Sequence, residues 1–245
     1  MLLLLPLFGF VIALVTVTLG GGGGGLYTGL LIAVFGVSPA VAVSTSLTTL
    51  VPTVLIGSYN HWRAGNIRID RGKYIFASGA IGACLGALAV PVLPSASYQK
   101  VLGVIILAML LLLRWKPKRN SRAAPAPVVN VTLLGLLAGA LSGFAGVSGS
   151  APIVIGLLLI GCSAIETIGT SVFALVGISI VGFLAHVTEG NVDWKLVALL
   201  GAGTTAGGFL SSIVVSRADP AMLERLLRPA VVATSATSAV VLIAT

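Results

Sequence analysis

Gly20-Gly-Gly-Gly-Gly-Gly25, six consecutive glycines, sits inside an apolar stretch covering residues 1–36, and its reading decides the fold. One crossing of a bilayer takes about 20 residues, so this stretch is too long for a single span. Glycine costs a helix interior about 1 kcal/mol per residue, so six together will not remain helical. The region reads as a broken helix, with the chain resuming a helix near Leu26. Residues 131–162 pose the same problem and are interrupted by Gly143, Gly146 and Gly149.

Sliding the chain by 125 residues superposes the two broken regions without a gap. Gly21 then falls on Gly146, Gly24 on Gly149, Gly36 on Gly161, Ser38 on Ser163, Thr45 on Thr170, Ser46 on Ser171, Gly57 on Gly182, Gly65 on Gly190 and Asn66 on Asn191. The only two histidines, His61 and His186, also pair. Rare residues do not align this way by chance, so the chain is read as an internal duplication. Its parts are a first transmembrane repeat over residues 1–115, a basic cytoplasmic linker over 116–130 and a second transmembrane repeat over 131–245. Uninterrupted apolar runs mark full spans near 38–61, 74–93, 98–114, 164–187 and 196–216, with a less regular one near 223–244.

Composition agrees. The chain has 245 residues, 57% hydrophobic and only 8% charged, with a mean hydropathy of +1.13. Soluble domains carry about 25% charged residues, so the bilayer has to be the solvent. Thirty-one glycines against three tryptophans suit helices that approach closely. The net charge of +8 does not mark a nucleic-acid partner, because most of the basic residues crowd two short loops. One holds Arg63, Arg68, Arg71 and Lys73, the other Arg114, Lys116, Lys118, Arg119 and Arg122. Such loops stay in the cytoplasm. The counterpart of the first, residues 186–195, carries Glu189 and Asp193 against Lys195 alone and is free to lie outside. Equivalent loops on opposite faces make the repeats inverted. The expected fold is therefore all-α, a polytopic bundle of two inverted repeats, each with a Gly-broken segment plus three full spans. The N-terminus has no positive region and no cleavage site, so it reads as the first membrane segment with its start outside. Cys84 and Cys162 lie in apolar stretches and read as small structural hydrophobes.

Inverted repeats with discontinuous helices are the architecture of secondary transporters, whose sites form where half-helix ends meet near the midplane. Successive glycine N–H groups and the positive end of the following helix provide for an anion without Lys or Arg. Gly22, Gly23, Gly24 and Gly25 are thus candidate substrate-binding positions, joined by Ser148, Gly149 and Ser150 of the second break. Thr45-Ser46 and Thr170-Ser171 recur at equivalent depth, counted as near the bilayer centre, and would complete the polar cavity. Ser38 and Ser163 read as helix N-caps. Glu166 is the one acid well inside an apolar span, read either as a proton-coupling group or as the partner of Ser163 in a capping box. His61 and His186 end their helices on opposite faces and are candidate gating groups. Gly146-Val-Ser-Gly149 resembles the Gly-x-Ser-Gly motif of rhomboid intramembrane proteases, with His186 as a base, but the first copy has no serine there. The chain is not read as an enzyme. No Walker loop, Rossmann fingerprint, zinc spacing or carboxylate pair is present, so neither cofactor nor metal is expected.

The combination of the Gly-rich first segment, Val37-Ser-Pro-Ala-Val-Ala-Val-Ser-Thr-Ser-Leu47, Gly65-Asn-Ile67 and the degenerate second copy with Thr170-Ser171 resembles the TauE/SafE family of membrane permeases. The resemblance runs over essentially the whole chain. It implies a multi-pass protein of the bacterial inner membrane that exports small sulfur-containing anions such as sulfite or organosulfonates. An alternating-access carrier is the expectation and a passive anion channel the alternative. The partners are then a small anion and the lipid bilayer, with homo-oligomerisation left open.

Overall fold

The computed structural model describes residues 2–89, 128–145, 148–187 and 192–227, with single positions at 104, 107, 111, 190, 229, 230, 232 and 233. A short 3-10 turn, Leu2–Leu4, leads into α1 (Leu5–Thr18). There follow α2 (Gly24–Ala33), α3 (Pro39–Arg63) and α4 (Ile69–Ala89). The second half carries α5 (Val128–Ala145), α6 (Ser150–Leu159), α7 (Ala164–Val187) and α8 (Trp194–Arg217). Residues 220–227 are also helical, and no strand occurs among the described residues. Helices α3, α4, α7 and α8 are long and apolar enough to cross a membrane. The protein is an all-α membrane bundle.

Both predicted breaks are present, between α1 and α2 and between α5 and α6. The first is shorter than expected, because α2 starts at Gly24, two residues ahead of Leu26. Helix α4 starts five residues before the predicted 74, and α5 starts at Val128, inside the predicted linker. The predicted span at 98–114 lies outside the described residues apart from Val104, Leu107 and Leu111, which are helical. The span at 223–244 is described only in its first part. Ser38 makes no side-chain cap. Pro39 supplies the helical φ at the first turn, and the Ser38 carbonyl accepts from Ala42 N at 2.9 Å. At the start of α8 a side-chain cap that the sequence reading did not name does occur, with Asp193 accepting from the N–H groups of Lys195 and Leu196.

The two halves pack by exchange. Helix α1 lies on α8, and α4 lies on α5. Both seams are built from glycine. A Cβ added to Gly203 would collide with the Pro6 carbonyl, and one on Gly207 with the Phe10 carbonyl. On the other seam Gly82 and Gly86 face the Leu136 and Ala140 carbonyls, while Gly139 and Gly143 face those of Gly79 and Ala83. Backbones this close gain dispersion contacts that larger residues would prevent. The register gives chain direction. Along α3 and α7, Gly57 meets Val172 and Leu47 meets Gly182, so these equivalent helices run antiparallel. Along α3 and α8, Thr49 meets Gly201 and Thr53 meets Gly208, so those two run parallel. Arg68 meets Thr170, and Phe76 meets Gly177, so α4 and α7 are parallel as well.

Candidate substrate site

The first break is a buried turn. After α1 the chain reverses through Gly21 N donating to Thr16 O at 2.8 Å and Gly20 N donating to Val17 O at 3.0 Å. Gly20 and Gly23 have φ of 77° and 82°, the left-handed region that side-chain-bearing residues avoid. Two serines hold the bend from opposite sides. Ser46 Oγ on α3 donates to Gly24 O at 2.8 Å, and Ser171 Oγ on α7 donates to Gly20 O at 2.6 Å. The N–H groups of Gly22, Gly23, Gly24 and Gly25 find no acceptor among the described residues. Three of these glycines, Gly22, Gly23 and Gly24, are buried, and buried donors in this state call for a partner.

The second break meets the first. A Cβ on Gly24 would lie 3.1 Å from Ser148 N, and one on Gly21 would lie 3.4 Å from Ser150 Oγ. The amino ends of α2 and α6 therefore converge. Ser148 and Ser150 share a hydrogen bond at 3.1 Å between their hydroxyls. In the 125-residue alignment positions 23 and 25 correspond to 148 and 150, glycine in the first segment and serine in the second. Gly149 does not donate to this junction through any described contact. It is needed because a Cβ there would strike the Ala138 carbonyl of α5.

Tyr27 is a site residue that sequence reasoning missed. It is fully buried in the first turn of α2, and its ring folds back over Gly23. Its hydroxyl makes no well-formed hydrogen bond among the described residues. Thr16 Oγ1 lies beside it across Gly23; that hydroxyl donates to Ile12 O at 2.8 Å and keeps its lone pairs free to accept.

Thr45 and Thr170 are not brought to the bend. Thr170 Oγ1 accepts from Arg68 N at 2.9 Å, and Thr45 Oγ1 accepts from Asp193 N at 3.2 Å. Thr170 thus ties down the residue before α4, and Thr45 the residue before α8, each from the other half of the chain. Both threonines stand level with the starts of α4 and α8, not at the centre of those spans.

Glu166 and Ser163 form the capping box: Glu166 Oε2 accepts from Ser163 N and Ser163 Oγ, each at 2.9 Å. The other carboxylate oxygen accepts from Arg68 Nη1 at 3.2 Å, across the two halves. Arg68 also forms a two-pronged pair with Asp70, at 3.0 and 2.9 Å. These carboxylates, Asp70 foremost, push the guanidinium pKa further up, so Arg68 stays charged. Beside them Arg71 Nη1 reaches Cys162 Sγ at 3.2 Å. Burial raises the Cys162 thiol pKa, and Arg71 opposes the rise. The histidines lie elsewhere. His61 is fully buried at the end of α3, where Nδ1 meets Asn66 Nδ2 at 3.3 Å, and Asn66 Nδ2 continues to Ser216 Oγ on α8 at 3.1 Å. His186 is buried in the last turn of α7.

Residues 5–240 match the family described as Sulfite exporter TauE/SafE. The chain belongs to the TauE/SafE family. Its relatives include the probable membrane transporter protein YdhB of Bacillus subtilis, 29% identical over 219 residues that cover 86% of this chain and 89% of that protein. YjnA of the same organism, also a probable membrane transporter protein, is 30% identical over 242 residues, 89% of this chain and 91% of its own. A probable membrane transporter protein of Xylella fastidiosa is 29% identical over 238 residues, 93% and 89% of the two chains. No solved structure matches the chain. This TauE/SafE member is thus a multi-pass membrane transporter and not an enzyme, which removes the protease reading of Ser148.

Proposed function

We propose that this transporter carries small sulfur-containing oxyanions, sulfite or an organosulfonate, through a site where the two breaks meet. The observation that carries the reading is the run of glycine N–H groups from Gly22 to Gly25, the first three in buried residues, that have no acceptor among the described residues, beside the point where Gly21 and Gly24 meet Ser150 and Ser148. A sulfonate presents three oxygens on one face and suits several neutral donors at once. Backbone away from helices survives at membrane depth only where protein buries it or where it lines a cavity. The transport cycle is alternating access, with two inverted halves rocking about the site. The opposite directions of α3 and α7 support that relation between the halves.

The experiment is uptake of labelled sulfite into proteoliposomes. Saturation with counterflow is the expected result. Conductance beyond about a million ions per second, far above the usual turnover of catalysed steps, would make the protein a channel.

A further inference from the structure

The charge of the substrate is the next question, and the inference below rests on the anion-site reading given above. Helices α1, α2, α5 and α6, which carry both breaks, contain no Asp, Glu, Lys, Arg or His. The side chains against the bend, among them Thr16, Tyr27, Ser46, Ser148, Ser150 and Ser171, are all neutral. Positive potential there comes from dipoles alone. Each helix N-terminus carries the equivalent of about half an elementary charge. Two such ends, Gly24 of α2 and Ser150 of α6, converge on the bend, so together they supply about one positive unit.

We propose that the bend selects singly charged oxyanions over doubly charged ones of the same size, with the Tyr27 hydroxyl as the side-chain donor that fixes the bound anion. Removing an ion from water costs a free energy that grows with the square of its charge. Its attraction to fixed dipoles grows only in proportion to the charge. Dipoles worth about one unit match a monoanion and leave a dianion uncompensated in a buried site. Tyr27 enters because its hydroxyl is fully buried, stands over Gly23 and makes no well-formed hydrogen bond among the described residues, with Thr16 Oγ1 as its polar neighbour. In the 125-residue alignment the corresponding position is Pro152, which has no donor, so a hydroxyl of this kind is supplied from one side only.

Methanesulfonate and sulfate make the test, because they differ by a methyl group in place of an oxygen and by one charge. Binding to the purified full chain is read by calorimetry and by thermal shift, with sulfite titrated across its second ionisation. Methanesulfonate should bind equally at every pH. Sulfite should bind on the acid side, as bisulfite, and lose affinity as the dianion forms, while sulfate binds at least tenfold more weakly than methanesulfonate. Sulfate binding as tightly as methanesulfonate, or sulfite tightening as pH rises, would overturn charge selection and leave the anion site standing. Binding of none of the three would overturn both. Tyr27→Phe should weaken methanesulfonate about ten- to a hundredfold, the usual effect of losing a hydrogen bond to a charged group. Its melting temperature without ligand should match the parent. Unchanged methanesulfonate affinity in Tyr27→Phe would exclude the hydroxyl as donor.

Discussion

Gly23 and Gly24 are constrained for different reasons, and substitution separates them. Gly23 sits at φ 82°, where a Cβ would lie 2.7 Å from the Tyr27 ring and 2.8 Å from Thr16 Oγ1. Gly23→Ala combines left-handed strain of about 1–2 kcal/mol with displacement of Tyr27. It should lower the melting temperature and abolish anion binding. Gly24→Ala meets only Ser148, at 3.1 Å from its backbone nitrogen, so it should bind poorly while melting close to the parent. If Gly24→Ala bound methanesulfonate normally, the contact between the two breaks would have no part in the site. Ser46→Ala leaves the buried Gly24 carbonyl without its donor, a loss of about 1–3 kcal/mol, readable in denaturant unfolding. At this scale the sequence was informative about backbone and poor about side chains. Six glycines in an apolar run announce a break, since no other reading satisfies helix propensity. Tyr27 looked like one more aromatic of a short apolar helix, and nothing in its neighbours along the chain says that it folds back onto the turn before it.

Between elements, the junction of the 64–68 loop with the start of α7 joins the halves by charge. Glu166 serves Ser163 and Arg68 at once, so two variants divide its roles. Glu166→Gln keeps an acceptor for the cap and loses the ion pair, which is half-exposed and so costs about 1 kcal/mol or less. Glu166→Ala loses the cap too and should cost about 1 kcal/mol more. Maleimide labelling of Cys162, followed in a Cys84→Ser background, should rise in the order parent, Gln, Ala. An unchanged rate in the Ala variant would mean that the junction does not shield the thiol. Ser163 and Glu166 were legible as a capping box because the partners stand three residues apart. The Arg68 pairing was not legible, because it links positions 98 apart along the chain. Thr45 and Thr170 were misjudged for a related reason. Counting residues from a helix start gives depth only if neighbouring helices begin together, and here α8 begins level with Thr45.

For the molecule as a whole, the two breaks and the long apolar helices were legible, while the way the segments engage was not. Gly82, Gly139 and Gly207 could be read as close-packing residues, yet which backbone each one faces depends on chain path. The proposed inversion of the halves makes a topological prediction. With native cysteines replaced, a cysteine placed between residues 64 and 68 should be modified from the cytoplasmic side only, and one between 188 and 192 from the opposite side only. Modification of both from one side would mean that the halves share an orientation.

The exchanged seams also order events during biogenesis. The glycine face of α4 has no partner until α5 has been made, and the face of α1 marked by Gly9 waits for α8, at the far end of the described chain. The first half therefore leaves the ribosome with two unfinished surfaces in lipid, and neither copy holds both members of any seam. A fragment ending at residue 115 should be degraded when expressed alone. It should be rescued when the remaining segment is supplied as a separate chain, because the contacts that complete it were never within it.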